Sequence, residues 1–210
     1  MTDEVRDSYD GMATLYAELF LDDLERDSNA RDWLAAFAEL AALRNGPVAD
    51  LGCGPGHVVD HLTELGLSAV GYDLSPGQIA EARNAFPDSQ FQLGDLAALD
   101  VADAWLGGVV SRYSLIHMLP SRLGDVFEEW MRVLEPGAPV LVSFFGSLTA
   151  DSHGTPFDHA VVTAYELFPA TIARLLHDTG FIDAEIGVRD PPDGGRSFDQ
   201  ATVLARKPDR

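Results

Sequence analysis

The sequence predicts a single α/β domain built on a doubly wound, mostly parallel sheet. Three observations carry that reading. From Pro47 onward, short apolar runs alternate with segments of helical periodicity, the pattern of strand–helix–strand units. Several runs, "PVLVSFF" above all, are apolar without alternation, which suits strands covered on both faces. Three glycines, Gly52, Gly54 and Gly56, separate the first apolar run from a helix, and open α/β sheets bind their ligands at such strand ends.

The elements follow in order. The first 45 residues read as helical. Residues 9–24 carry Met12, Tyr16, Leu19 and Phe20 as one amphipathic helix. "DSNARDWLAAFAELAAL" then offers caps at Ser28 and Asn29, ahead of Trp33, Phe37, Leu40 and Leu43 at helical spacing. Strands are expected at 48–51, 69–72, 91–93 and 108–111, and a fifth follows the Pro-Gly turn of "EPGAPVLVSFF". Helices are expected at 57–65, closed by Gly66, at 76–85 with proline at its start, and at about 122–134. Residues 147–167 interrupt the alternation and read as an insertion carrying His153, His159 and Tyr165. A helix over 169–177 is ended by Gly180. Two strands, 181–188 and 201–206, are then joined by the turn-rich "RDPPDGGRSFD". With no helix between them, these two predict an antiparallel hairpin at the sheet edge. The organisation is therefore one domain over 1–210: helices (1–45), core (46–146), insertion (147–167) and closing helix with hairpin (168–210).

Composition narrows the partners. The 34 acidic and 14 basic residues give a net charge of −20, which repels phosphate backbones and anionic lipid surfaces. No Lys/Arg cluster offsets it, so neither nucleic acid nor membrane is expected as a partner. No apolar run approaches a membrane span, and the opening "MTDEVRDSYD" lacks the basic and apolar parts of a signal peptide. The single cysteine, Cys53, cannot form an internal disulfide, which fits a reducing compartment. The expectation is a cytoplasmic protein, monomeric or homodimeric.

Glycines allow positive φ and close approach, and a following helix N-terminus favours an anion, phosphate or carboxylate. The Gly-x-Gly-x-x-Gly spacing of nicotinamide enzymes is absent, since His57 stands where its third glycine would be. No Tyr-x-x-x-Lys pair supports that class either. Two acids accompany the loop. Asp73 lies 21 residues past Gly52 at the end of the second strand, placed to accept from ribose hydroxyls or to cap the next helix. Asp95 follows the third strand, as an acceptor for an adenine amine or a plain loop residue.

With these pieces together, the chain resembles the class I S-adenosylmethionine-dependent methyltransferases of small molecules. "VADLGCGPGH", "AVGYDLSPGQIAEAR", "FQLGDLAAL", "VVSRYSLIHM" and "RVLEPGAPVLVSFF" run in that family's order, and "SYDGMATLYAELF" looks like its Tyr-Asp-x-x-Ala-x-x-Tyr lead-in. The resemblance implies a Rossmann-like seven-stranded sheet of order 3-2-1-4-5-7-6 with strand 7 antiparallel, under an N-terminal helical lid. It implies S-adenosylmethionine as cofactor and S-adenosylhomocysteine as product; no set of carboxylates has the spacing of a magnesium site, so no metal is expected. Gly52, Gly54 and Gly56 would pass beneath the methionine part, with Asp50 steadying its amino group and Ser111 nearby. Asp73 would bind ribose, and Leu74 and Ile79 would sandwich adenine. Asp95 and the Leu96 N–H would read the adenine edge, and Tyr9 and Tyr16 would lie over the cofactor. Two features depart from the pattern. Gly107-Gly108 replaces the customary Phe-Asp of strand four, and the Asn/Asp-Pro-Pro-aromatic element of DNA amino-methyltransferases is missing.

Methyl transfer needs alignment and, for a hydroxyl acceptor, a base. His117, just past the fourth strand, is the first candidate, and its alternative is a packed loop histidine. His159, in the insertion, is the second. Arg112 either clamps an acceptor carboxylate or pairs with one of many acids. Tyr113 and Tyr165 either wall an acceptor pocket or belong to the core. The function expected is methyl transfer to oxygen or nitrogen of a small molecule. The rivals are a cofactor-binding or partner protein without turnover, and an enzyme acting on a peptide or protein.

Overall fold

The computed structural model describes residues 3–146, 149–159, 161–191 and 198–210. Its main sheet has seven strands: β1 (Val48–Leu51), β2 (Ala69–Asp73), β3 (Gln90–Leu93), β4 (Gly108–Arg112), β5 (Pro139–Gly146), β8 (Ile182–Arg189) and β9 (Asp199–Arg206). Their order is β3-β2-β1-β4-β5-β9-β8. The first five run parallel, while β9 lies antiparallel to both β5 and β8. That is the order 3-2-1-4-5-7-6 expected of the class. Two-residue strands β6 (Pro156–Phe157) and β7 (Ala164–Tyr165) form a small separate hairpin inside the 147–167 insertion. Of that insertion, Ser147, Leu148 and Ala160 lie outside the described residues, as do residues 192–197 of the expected β8–β9 turn.

Helices cover both faces, and alternation along each strand decides which side chain meets which helix. Ala49, Leu51, Val109, Val140 and Val142 point to one face. There they bury against α7 (Leu123–Val133), through Phe127 and Trp130, and α8 (Pro169–Thr179), through Ile172 and Leu176. Val48, Val110 and Leu141 point to the other. They meet Leu34 and Phe37 of α4 (Ser28–Ala41) and Val58 and Leu62 of α5 (His57–Glu64). Each such fully buried apolar side chain contributes about 1.5–3 kcal/mol relative to exposure. Arg112 continues the Val110 row two residues further on, so it emerges on the α4 face. A third cluster packs Ile79 and Ala82 of α6 (Pro76–Ala85) against Cys53, Val59 and Phe91.

The N-terminal region differs in detail from the sequence reading. One helix was expected over 9–24; instead α1 (Asp3–Asp10), α2 (Ala13–Phe20) and α3 (Asp23–Arg26) follow one another with breaks between. Gly11 and Met12 interrupt the first pair, and glycine inside a helix is poorly stabilised. The cap of α4 is Asp27, whose carboxylate accepts from the Ala30 N–H at 2.9 Å, and not Ser28 or Asn29. Helix α6 begins as expected, with proline at its first turn and Ser75 Oγ accepting from the Gln78 N–H. The α1 helix is fastened to α6 by Asp10, whose Oδ1 accepts from the Gly77 N–H at 2.5 Å and from Ser75 Oγ at 3.0 Å.

Candidate active site

A pocket opens at the C-terminal ends of β1, β2 and β4, roofed by α1 and α2. Gly52, Gly54, Asp73, Leu74, Gln78 and Leu96 line one part of it, and Tyr9, Tyr16, Arg112, Tyr113, Ser114 and His117 another. Sequence and fold put these groups together for simple reasons. Parallel strands end at one edge of the sheet, and the loops leaving β1, β2 and β4 therefore share a rim.

The glycine loop is built for close approach. Gly52 has φ +80° and Gly54 φ +50°, the left-handed region that glycine adopts readily. A Cβ at Gly52 would collide with Ser114 Oγ, so that position is closed by packing. At Gly54 a Cβ would approach only Tyr16 Cε1 at 3.6 Å and Gln78 Oε1 at 3.8 Å, standing in the space a ligand needs. Gly56 serves the fold instead. It precedes α5 in a left-handed conformation, and a Cβ there would meet the Phe91 ring at 2.7 Å.

Asp73 is held by backbone. Its Oδ2 accepts from the Gly54 N–H and its Oδ1 from the Ser75 N–H, both at 2.9 Å. Burial pushes this carboxyl upward in pKa, and those N–H groups oppose the shift. Each oxygen keeps a lone pair for a second donor, which suits a vicinal diol. Asp50 lies beneath the loop, 2% exposed, with no hydrogen-bond partner for Oδ2 among the described residues. Burial raises it to about 7 against the pull of Arg112. Gln78 is 1% exposed, and neither amide atom has a partner there. Gln78 lines the pocket, where an orphaned amide calls for a polar ligand, while Asp50 lies below the loop and is not among the pocket-lining residues.

Tyr9 and His117 form the other feature. Tyr9 Oη lies 2.7 Å from His117 Nε2, and His117 Nδ1 lies 3.3 Å from the Thr163 carbonyl. A carbonyl only accepts, so Nδ1 carries the hydrogen, Nε2 offers its lone pair, and the Tyr9 hydroxyl donates. Burial pushes His117 down to about 4. Its ring meets His159 edge-on, with centroids 5.0 Å apart, and His159 in turn stands among Phe145 and Phe157. Tyr16 packs on Tyr9 at 5.4 Å, and burial raises its phenol to about 12.

Several residues singled out from sequence sit elsewhere. Ile79 lies in the core between Cys53 and Phe91, and Gln78, one position earlier in α6, faces the pocket instead. Ser111 is fully buried and donates to the Leu51 carbonyl, tying β4 to β1. Tyr165 packs against the main core from β7 and does not line the pocket. Asp95 stands between the pocket-lining Gly94 and Leu96, with Oδ1 accepting from the Ala97 N–H at 3.0 Å. Leu96 is itself fixed from below, since its carbonyl accepts from Trp130 Nε1 at 2.8 Å. Residues missed from sequence are Gln78, Ser75, Ser114 and Asp10. Only Gln78 had a readable signal, because a helix starting at Pro76 turns its third residue back over the strand ends. Among the described residues, no group of three or more His, Cys, Asp or Glu could hold a metal ion, and no helix is long and apolar enough to cross a membrane.

A strand order with an antiparallel end strand, a glycine loop after β1 and a buried, backbone-held aspartate ending β2 are the marks of a class of nucleoside-binding α/β proteins. Within it the family is specific. A methyltransferase domain model matches residues 48–137. The chain is 32% identical to the trans-aconitate 2-methyltransferase of Rhizobium meliloti over 135 residues, covering 61% of this chain and 49% of that protein. It is 28% identical to the demethylmenaquinone methyltransferase of Beutenbergia cavernae over 166 residues, covering 78% and 67%. The solved magnesium protoporphyrin IX methyltransferase of Synechocystis, with bound S-adenosylmethionine, superimposes with a TM-score of 0.73 at 18% identity over 99% of this chain and 98% of that one. Residues 48–137 are thus similar to a methyltransferase domain, in a fold shared with solved S-adenosylmethionine-dependent methyltransferases. The chain spans about half the length of the first of these relatives.

S-adenosylmethionine is the cofactor of these methyltransferases, and the pocket fits it. The bare Gly54, the doubly anchored Asp73 and the orphaned Asp50 and Gln78 are what a nucleoside bearing an amino acid needs.

Proposed function

We propose that this chain transfers a methyl group from S-adenosylmethionine to an oxygen or nitrogen of a small-molecule acceptor. The observation that carries the proposal is one continuous pocket joining the Gly54–Asp73 cradle to the Tyr9–His117 pair. The cofactor supplies, when bound, a methyl group on a sulfonium, already a good leaving group. The chain's own residues then have three tasks. Asp73 holds a ribose through its free lone pairs, with Leu74, Gln78 and Leu96 around the base. Asp50 accepts from an amino group, and a cation there lowers its pKa and favours its ionised form. The roof residues Tyr9 and Tyr16 exclude water, which sharpens every electrostatic contact inside.

Proton removal falls to Tyr9 and His117 together. Nε2 of His117 is already occupied by the Tyr9 hydroxyl, so an acceptor meets Tyr9 first. A hydroxyl acceptor would pass its proton to Tyr9 Oη as the Tyr9 proton moves to Nε2, leaving an imidazolium on the Thr163 carbonyl. His117, pushed down to about 4, is a weak base for that task. The arrangement therefore favours an acceptor that is already ionised. The relatives named for trans-aconitate and for malonyl-[acyl-carrier protein] O-methylation support a small or carrier-borne acid. His159 acts through His117, and Tyr113 walls the acceptor side.

The test is calorimetric titration with S-adenosylmethionine, S-adenosylhomocysteine and NADH, then an acceptor screen read by S-adenosylhomocysteine release. Binding of both sulfur compounds and not NADH is expected. Folded protein that binds neither would end the proposal. The same reading takes the chain as one domain acting in the cytoplasm without a metal ion.

A further inference from the structure

Arg112 is the last residue of β4, directly before Tyr113, which holds a φ of +56°. A left-handed tyrosine is costly, and residues kept in such conformations cluster at sites that use them. Here the turn ends β4 with the Arg112 side chain on the α4 face and the Tyr113 ring beside it. The guanidinium lies 5.6 Å from that ring's centre.

The surroundings of Arg112 do not balance in charge. Its partner is Asp27, the cap of α4, at 3.6 Å, with both side chains only 7% and 10% exposed. Asp27 is already taken. Arg189 of β8 grips both its oxygens, at 2.6 and 2.5 Å, and the Ala30 N–H takes Oδ1 as well. Burial raises the Asp27 carboxyl, but Arg189, Ala30 and Arg112 together hold it below the usual carboxylate range. Arg189 is further engaged by Gln200 and Tyr113. A buried Arg112 and a half-buried Arg189 thus share one anion, inside a protein whose net charge is −20. Asp50 also feels Arg112, yet burial keeps it at about 7, only half ionised at neutral pH.

Of the two arginines, Arg189 is saturated and Arg112 is not. Among the described residues no acceptor lies within hydrogen-bond reach of the Arg112 guanidinium, and it lines the pocket. A guanidinium offers five N–H donors in a planar fork that matches a carboxylate with two parallel bonds. A buried cation without such a partner is expensive, so ligand binding recovers energy there.

We propose that Arg112 is the receptor for a ligand carboxylate, braced from behind by the Asp27–Arg189 pair. The inference rests on the methyltransferase reading and names the chemistry of one ligand group in that same pocket. Two ligands can bring the carboxylate: the amino-acid end of the cofactor, or the acceptor. Tyr113, bonded to Arg189 and stacked on Phe145 at 4.9 Å, makes a flat wall beside the fork.

The experiment uses the full chain, wild type, Arg112→Gln and Arg112→Lys. Each is titrated calorimetrically with S-adenosylhomocysteine and with S-adenosyl-3-thiopropylamine, which keeps the amine and lacks the carboxylate. At saturating S-adenosylhomocysteine, each is also melted with sodium benzoate or sodium tricarballylate, against sodium chloride at equal ionic strength. A cofactor source gives Arg112→Gln about ten- to a hundredfold weaker binding of S-adenosylhomocysteine, and unchanged binding of the amine. An acceptor source leaves both affinities alone and abolishes a carboxylate-induced rise in melting temperature seen in the wild type. Arg112→Lys keeps the charge, loses the fork and falls between. Folded Arg112→Gln that matches wild type in every arm overturns the inference while leaving the methyltransferase reading intact. Wild type that binds neither nucleoside brings both down.

Discussion

His117→Gln separates a buried neutral histidine from a solvated one. His117 is 8% exposed, and burial holds its pKa near 4, against 6.5 in an open chain. The unfolded chain therefore takes a proton near pH 6.5, whereas the folded one refuses it until about pH 4. The stability this group contributes is complete above pH 6.5 and is lost progressively as pH falls to about 4. At pH 4.5 the loss amounts to about two pH units, or roughly 2–3 kcal/mol. His57, pushed down to about 3 by burial and Arg112, acts with the same sign. Asp50 acts oppositely, since its raised pKa of about 7 means stability lost as pH rises toward 7. The wild-type curve is the sum of these, so only its difference from the variant isolates His117.

Urea unfolding at pH 7.5 and pH 4.5 makes the comparison. Glutamine keeps a donor and an acceptor for the Thr163 carbonyl and the Tyr9 hydroxyl, so the cost at pH 7.5 should be about 1 kcal/mol. Between the two pH values the variant should lose roughly 2–3 kcal/mol less than wild type. Equal losses would mean that His117 is charged or solvated in the native state. The account of Tyr9 donating to a neutral Nε2 would then be wrong.

Three further outcomes follow from the same geometry. Gly54→Ala should cost about 1–2 kcal/mol for its left-handed backbone yet weaken S-adenosylhomocysteine binding more than tenfold, because the new methyl stands in the pocket; calorimetry beside a urea melt checks both. Asp73→Ala should weaken the same ligand by about 1.5–3 kcal/mol, the range for hydrogen bonds to a charged group, and unchanged affinity in folded protein would remove Asp73 from the ribose site. Tyr9→Phe should leave S-adenosylhomocysteine affinity nearly unchanged. Its turnover should fall roughly 10²-fold or more on a hydroxyl acceptor and barely on a carboxylate, since only the hydroxyl must lose a proton.

The strands were legible because each is a short apolar run fixed between turn residues, and their pairing order followed from the resemblance as a whole. Boundaries held less well where tertiary contacts decide them. The α4 cap is the clearest case. Ser28, Asn29 and Asp27 are all good capping residues, and the sequence alone does not rank them. What ranks them is Arg189, 162 residues away, which clasps Asp27 and fixes the helix start beside β4. Likewise the break after α1 reflects Asp10, which is held on the N-terminus of α6 by contacts that no local pattern encodes.

The site divides along the same line. That Gly52, Gly54 and Asp73 line the pocket was readable, because φ and strand ends set their places. Side chains that face the pocket through helical register were harder, as Ile79 and Gln78 demonstrate. A shift of one residue turns α6 by about 100°, enough to exchange a core position for a ligand-facing one. The resemblance put Ile79 beside the adenine, yet its hydropathy draws Ile79 into the cluster with Phe91 and Cys53. The polar residue at the neighbouring position, Gln78, is the one that lines the pocket, buried with both amide atoms unpartnered among the described residues. The same logic holds at Arg112. An ion pair was the plain expectation, and one exists at 3.6 Å. Only the count of charges around Asp27 reveals that the pair is incomplete, and that incompleteness, with Arg112 on the pocket wall, is what the Arg112 proposal rests on.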